Sequence, residues 1–155
     1  MKGEQSVNAY RPPEYRLIQK ALAHKKRHTV KVKDTEAGLD MSVNVILCTV
    51  PKYEVARNIA LALVENNIAA CVNIVPSVTS VYRWEGKTET DQECQLLIKT
   101  TAEKVEQAYL LVKSQHPYDV PEWLVIPNVD GSPEYLRWIQ NQTRQTKDGP
   151  RKLIK

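Results

Sequence analysis

The stretch from Val78 to Lys87 constrains the fold more than any other part of this chain of 155 residues. It alternates as a β-strand does, so one face carries Val78, Ser80, Tyr82 and Trp84. Gly86 can supply the positive φ that a tight hairpin turn needs. Two large aromatic residues beside a turn exceed what a protein core requires. We therefore expect a hairpin whose tip contacts something beyond its own core.

The patterns on both sides of this hairpin predict further strands and helices. Residues 43–50 are apolar at nearly every position, as in a strand that is covered on both faces. The spacing of apolar residues predicts a helix over residues 54–67, and Pro76 within the second strand predicts a bulge or a sheet edge. The remaining predicted elements are a strand over 93–100, a helix that begins at the N-cap Thr101 and ends at His116-Pro117, a strand over 123–126 and a helix that begins at Ser132-Pro133.

This element order predicts an α+β fold. The order β-α-β-β-α-β with a terminal helix is that of the ferredoxin-like sandwich, in which two helices cover one face of an antiparallel sheet. The central strands are apolar on both faces although the helices cover only one, so we expect another subunit to bury the second face.

Composition limits the class of protein. No run approaches the roughly 18 apolar residues of a membrane span, and no apolar run follows the basic N-terminal residues, so a secretory signal is not expected. The three cysteines form no CxxC motif, which favours buried free thiols in a reducing compartment. We expect a cytoplasmic protein, and the sequence leaves open organellar targeting by residues 1–42.

Charge divides the chain into three parts. Residues 1–40 carry nine Lys and Arg against five Asp and Glu, and residues 144–155 carry five against one, whereas residues 41–143 have eight against twelve. We predict a basic N-terminal extension over 1–42, with a short helix over 15–27, a domain over 43–143 and a basic tail over 144–155. Such ends could bind nucleic acid or an anionic surface, or could be solvated flanks.

Six segments in order resemble the CutA family of divalent-cation tolerance proteins. They are Leu47-Cys-Thr-Val-Pro51, Ala69-Ala-Cys-Val-Asn73, Ser80-Val-Tyr-Arg-Trp-Glu-Gly-Lys87, Leu96-Leu-Ile-Lys-Thr100, His116-Pro-Tyr-Asp-Val-Pro-Glu122 and Tyr135-Leu-Arg-Trp138. The resemblance implies a ferredoxin-like protomer in a homotrimer whose long hairpins reach neighbouring subunits. It places Trp84, and with it Trp138, at the trimer interface.

The resemblance also implies a candidate metal site. Family members that bind copper are thought to use a histidine pair before Pro-Tyr and a first-strand cysteine, which correspond here to Gln115-His116 and Cys48. An amide replaces one imidazole, so the set is thin for copper or another divalent metal. Cys71 could add a second thiol, or His116 could simply form hydrogen bonds within a cleft between subunits. No metal is expected to be required for folding.

A polar cleft between subunits is the second implied site. Its residues are Cys71, Tyr82, Lys99, Tyr118 and Glu122. An acid, a base and a phenol together could bind a small anion or perform acid–base work. Alternatively, Glu122 and Lys99 could form a structural ion pair.

These observations favour a trimeric protein that binds divalent metal ions and contributes to metal tolerance. The alternative is a non-catalytic signalling or scaffold protein that binds a small ligand or a protein partner in the cleft. No nucleophile–base–orienter set or phosphate-binding glycine loop is readable, so no enzymatic activity is expected. The element order is also that of RRM domains, but the strand over 93–100 lacks their aromatic residues, which argues against nucleic-acid binding.

Overall fold

The fold is described by a computed structural model for residues 40–144. Residues 1–39 and 145–155 lie outside the described residues. The helix predicted over 15–27 and most of the predicted basic tail therefore fall outside them. Within the described part of the chain, no helix is both long enough and apolar enough to cross a membrane.

A four-stranded antiparallel sheet organises the chain, with the strands in the order β2-β3-β1-β4. The strands β1 and β3 are central, so β1 lies between β3 and the short edge strand β4. The bounds of the strands are Val43–Val50 for β1, Cys71–Trp84 for β2, Lys87–Thr101 for β3 and Leu124–Ile126 for β4. This sheet, with three helices, confirms the predicted α+β class.

The three described helices begin and end at residues with clear local reasons. They are α1 (Tyr53–Glu65), α2 (Val105–Gln115) and α3 (Pro133–Thr143). The α1 helix follows Pro51 and ends at Asn66, after which Asn67 adopts a left-handed φ of 55°. Ser132 caps α3 by accepting a hydrogen bond from the backbone N–H of Tyr135, with Pro133 in the first turn.

One prediction about α2 is wrong. Thr101 does not cap this helix with its side chain, because a 3₁₀ turn over Ala102–Lys104 precedes the helix. The Thr101 hydroxyl lies 3.4 Å from the hydroxyl of Thr143 instead, and both side chains are fully buried. Thr101 therefore joins the end of β3 to α3, since a buried hydroxyl needs a polar partner.

Side chains along the central strands alternate between the two faces of the sheet. On one face, Ile46 and Cys48 of β1 pack with Ile98 of β3 against the helices α1 and α2. On the other face, Val43 packs with Ala70, Leu136 and Ile139, so α3 covers only the Val43 end of the sheet. The rest of the second face keeps exposed apolar side chains at Val75, Leu124 and Ile126.

The hairpin of β2 and β3 is longer than the sequence predicts. The third strand begins at Lys87 and not near residue 93, and Trp84 pairs directly with Lys87 across a turn formed by Glu85 and Gly86. Both turn residues have positive φ, 48° and 78°, as a tight hairpin turn requires. The strand β1 pairs with β3 only as far as Cys94, so residues 78–93 form a two-stranded arm.

The buried hydroxyl of Thr100 offers a test of this packing. It donates to the carbonyl of Ile68 and is fully buried. In Thr100→Val that carbonyl loses its donor, so we expect the free energy of unfolding in urea to fall by about 1–3 kcal/mol. Thr90→Val, the same change at an exposed strand position, should cost less than about 0.5 kcal/mol. Equal losses in the two variants would contradict the role of the hydrogen bond.

Candidate functional site

The best-defined polar junction surrounds His116, the residue at which α2 ends. Its backbone is extended and Pro117 follows, so the helix cannot continue. The ring Nε2 lies 2.7 Å from the carbonyl oxygen of Thr49 on β1, and Nδ1 accepts a hydrogen bond of 3.0 Å from the backbone N–H of Tyr118. Because Nδ1 is an acceptor, these partners assign the ring proton to Nε2, which donates to Thr49.

The surroundings of His116 favour its neutral form. The side chain is 9% exposed. Burial lowers its pKa below the ordinary value of 6.5, and the charge of Lys113 acts in the same direction. The hydrogen bond to the Thr49 carbonyl and the charge of Glu93 oppose this shift but do not cancel it. Both ring nitrogens of the neutral His116 form hydrogen bonds with backbone groups. The bond to Thr49 connects the end of α2 to the end of β1.

Cys48 approaches the same carbonyl from the core. Its Sγ lies 3.7 Å from the Thr49 oxygen, so the thiol of Cys48 and the imidazole of His116 converge on one backbone atom. Cys48 is fully buried, and burial raises its pKa to about 12, with further contributions from the charges of Glu122 and Glu93. The structure thus brings the two predicted metal ligands together, with each carrying a proton.

A cluster of acids and hydroxyls adjoins this junction at the base of the arm. Glu93 is 7% exposed, and its two carboxylate oxygens accept hydrogen bonds of 3.2 Å from Tyr118 Oη and Ser80 Oγ. One step further along the arm, the phenol of Tyr82 donates to Asp91. We call Ser80, Tyr82, Asp91, Glu93 and Tyr118 the acid–hydroxyl cluster.

The carboxylates of this cluster hold its phenols in the protonated form. Burial raises the pKa of Tyr118 to about 12, together with the charge of Glu93 and the hydrogen bond to it. The hydrogen bond to Asp91 is the main cause that raises the pKa of Tyr82 to about 12. The phenols therefore act as hydrogen-bond donors at neutral pH.

The remaining predicted cleft residues are divided between two places. Glu122 accepts a hydrogen bond of 3.1 Å from Gln95 and acts electrostatically on Cys48, so it belongs with the His116 junction. Lys99 instead donates to Tyr135 of α3 at 3.3 Å, and Cys71 pairs directly opposite Lys99. Within one protomer these two side chains have different partners, so an ion pair between Glu122 and Lys99 stays a prediction for the contact between subunits.

The predicted interface tryptophans differ in their surroundings. Trp84, at the tip of the arm, is 54% exposed. Trp138 is also exposed, but it stacks on Tyr135 with ring centroids 5.6 Å apart, beside Lys99. Of the two tryptophans, Trp84 is thus the one for which the described residues of the protomer show no aromatic partner.

Sequence reasoning missed Glu93, Asp91 and Ser80. The signal was present: acidic residues recur at every second position over 89–93, which places them on one face of a strand. The prediction began the third strand at residue 93 and so left residues 89–92 outside any strand. Thr49 gave no signal, because its backbone carbonyl is the functional group and not its side chain.

The donor set falls short of a complete metal centre. Within residues 40–144, no group of three or more His, Cys, Asp or Glu side chains is arranged to hold a metal ion. One thiol and one imidazole provide two ligands, whereas protein sites for transition metals ordinarily supply three or four. A metal bound beside the Thr49 carbonyl would need the Cys48 thiol to lose its proton, the His116 ring to move its proton from Nε2 to Nδ1, and further ligands to enter.

Comparison with known proteins gives a consistent family. The sequence model described as "CutA1 divalent ion tolerance protein" matches residues 44–142. A divalent-cation tolerance protein CutA of Thermus thermophilus is 52% identical over 99 residues, which cover 64% of this chain and 96% of the relative. A chloroplastic CutA protein of Arabidopsis thaliana is 40% identical over 119 residues, which cover 77% of this chain and 65% of the relative.

Solved structures agree with the fold. The structure described as divalent cation tolerance protein (Cut A1) from Thermus thermophilus superposes with a TM-score of 0.64 at 51% identity. The superposition covers 66% of this chain and 99% of the solved one. The description of the family and the names of the Thermus proteins refer to tolerance of divalent ions and to no reaction.

The hydrogen bonds of His116 predict a dependence of stability on pH. The pKa in the folded state lies below 6.5, so the unfolded chain binds more protons near that pH. The stabilisation is fully present above 6.5 and is lost as the pH falls through the folded-state pKa. We expect the slope of unfolding free energy between about pH 5 and pH 7 to be smaller in His116→Gln than in the wild type.

An NMR titration tests the protonation of His116 directly. His24, His28 and His116 are the three histidines, so His24→Gln/His28→Gln leaves a single imidazole. Its NMR titration should have a midpoint below 6.5, with the neutral ring protonated at Nε2. A midpoint above 6.5, or a proton on Nδ1, would contradict the assigned hydrogen bonds.

Proposed function

Because this chain belongs to the CutA1 divalent ion tolerance protein family, we propose that it is a homotrimer that binds divalent metal ions of the copper class and contributes to metal tolerance. The observation that carries the metal proposal is the convergence of Cys48 and His116 on the carbonyl of Thr49. The name of the Thermus relative, a divalent-cation tolerance protein, supports the same class of ligand.

The trimer proposal rests on the partly covered sheet. The second face exposes Leu124 at 56% and Ile126 at 46%, and the arm exposes Trp84 and Val81. Apolar side chains left exposed on an open sheet face and on an arm are suited to burial by another subunit. The strand order β2-β3-β1-β4 supports a ferredoxin-like protomer, and the family match over residues 44–142 supports a domain over 43–143 flanked by an extension and a tail.

The proposed compartment is the cytoplasm. Cys48, Cys71 and Cys94 are all free, as thiols are in reducing compartments. The relative from Arabidopsis is named chloroplastic, so membership of the family does not by itself fix the compartment.

A second candidate function follows from the division of the predicted cleft. Lys99 and Cys71 lie beside α3, whereas Tyr82, Tyr118 and Glu122 lie near the base of the arm. In a trimer, the arm of one copy can bring these groups to the sheet of another. The protein would then be a non-catalytic signalling or scaffold protein that binds a small ligand or a protein partner between subunits.

Trp84 tests the assembly. A large aromatic side chain at the tip of an arm is a suitable anchor for a second copy. We expect Trp84→Ala to raise the dissociation constant of the trimer by about thirtyfold, the equivalent of about 2 kcal/mol, as measured by sedimentation equilibrium or native mass spectrometry. Tyr53→Ala is the matched control, because Tyr53 is 56% exposed but belongs to the first turn of α1 and not to the arm.

Wild-type protein that stays monomeric would refute the trimer. A trimeric Trp84→Ala variant as stable as the wild type would refute the role of the arm tip and leave the trimer standing.

Equilibrium dialysis with Cu²⁺ tests the metal proposal. Since the Cys48 thiol must lose its proton to bind metal, whereas His116 is already neutral, we expect affinity to increase from about pH 6 to about pH 8. Cys48→Ala and His116→Gln should each lower the uptake. Cys94→Ala is the matched control, because Cys94 is a second buried thiol of the same core. Uptake that is unchanged in Cys48→Ala and His116→Gln would refute the metal site and favour the second candidate function.

A further inference from the structure

The long hairpin contains one irregularity, on β2. Val75 pairs with Gln95 and Val78 pairs with Glu93, so Pro76 and Ser77 together oppose the single residue Cys94. Two residues facing one define a β-bulge. Ser77 has a φ of 58°, a left-handed conformation that is uncommon for a residue with a side chain.

The bulge lies where the sheet ends and the arm begins. The last residue of β1, Val50, pairs with the same Cys94 that the bulge opposes. From Cys94 to Thr101, β3 has a partner strand on each side. From Lys87 to Glu93, β3 pairs with β2 alone. The part of β2 that follows the bulge contains Ser80, Tyr82 and Trp84.

The bulge also sets which side chains of the arm face the carboxylates. With it, Ser80 pairs with Asp91 and Tyr82 pairs with Glu89, so both hydroxyls lie on the face of Glu93. Ser80 then reaches Glu93 and Tyr82 reaches Asp91. If residues 76–84 continued in regular register from Val75, pairing would shift by one, and Thr79 and Val81 would occupy that face.

Bulges also bend a strand and increase its twist. The bend occurs at the base of the arm, so a small change of angle there moves the distant tip the most. Pro76 has no backbone N–H, so it cannot donate a ladder hydrogen bond, and a bulge in an edge strand is a position where proline is tolerated.

We infer that the Pro76–Ser77 bulge is the positioning element of the arm, which keeps Ser80 and Tyr82 on the face of Glu93 and Asp91 and sets the direction in which Trp84 leaves the sheet. The part that concerns Trp84 rests on the proposed homotrimer. The part that concerns the face of the arm rests on the protomer alone.

Two matched substitutions in the full chain test this inference. A β-branched residue is strongly disfavoured at positive φ, so Ser77→Val should displace the bulge, whereas Thr79→Val introduces the same side chain at an ordinary strand position. We expect Ser77→Val to lower the melting temperature and to raise the dissociation constant of the trimer by about tenfold. Thr79→Val should change neither quantity appreciably. Equal effects of the two substitutions would overturn the inference.

A second pair of substitutions tests the conformation of the bulge independently of assembly. Glycine adopts positive φ without a steric cost, so Ser77→Gly should leave the melting temperature equal or higher. Thr79→Gly should lower it, because glycine weakens the interior of a strand. If both glycine variants are destabilised alike, Ser77 is not in the left-handed conformation and the inference fails. This comparison holds even for a monomeric wild type, which would refute the proposed trimer and not the bulge.

Deletion of Ser77 provides the test if Ser77→Val does not fold. One residue then opposes Cys94, and the pairings from Val78↔Glu93 to Trp84↔Lys87 can persist without the bend. We expect this variant to keep its secondary structure by circular dichroism and to assemble about tenfold more weakly than the wild type. Assembly equal to that of the wild type would overturn the role of the bulge in directing the arm.

Discussion

The pairing of β3 with two different strands is the constraint on which the rest of this structure depends. From Cys94 to Thr101, β3 lies between β1 and β2 and contributes Leu96 and Ile98 to the core. From Lys87 to Glu93 it pairs with β2 alone, and its side chains are almost all polar. The change occurs within one residue, where β1 ends and the bulge of β2 begins. The acid–hydroxyl cluster forms there because the sheet no longer needs apolar side chains on that face.

Much of the fold can be predicted from local pattern. The apolar run of β1, the positive φ of Gly86, the left-handed Asn67 after α1 and the end of α2 before Pro117 all follow from rules that act over a few residues. The first half of β3 could not be predicted in this way. Residues 87–92 are polar on both faces because a two-stranded arm has no core side, so hydrophobic periodicity is absent although the strand is present.

The residues of the candidate site also differ in whether a local sequence pattern predicts them. His116 could be identified because a helix end and a proline mark its position, and Cys48 because the family resemblance marks it. The roles of Glu93 and Thr49 could not be predicted, since a buried acid in a polar run resembles a surface acid and a backbone carbonyl leaves no mark in the sequence. The separation of Lys99 from Glu122 depends on the partners that distant elements supply: Tyr135 of α3 for Lys99 and Gln95 of β3 for Glu122.

The charges around Cys48 act in opposite directions on its protonation and on cation binding. Burial is the main cause that raises the pKa of the thiol, and the carboxylates of Glu122 and Glu93 add to it, so the proton stays on sulfur. The same carboxylates lower the electrostatic energy of any cation that enters the junction. A proton and a metal ion therefore compete for one negatively charged environment, and the outcome depends on pH and on the affinity of the metal for thiolate. The negative charge of Glu122 and Glu93 thus adds to the effect of burial on the Cys48 proton, and the same charge would favour a cation in the proposed metal site.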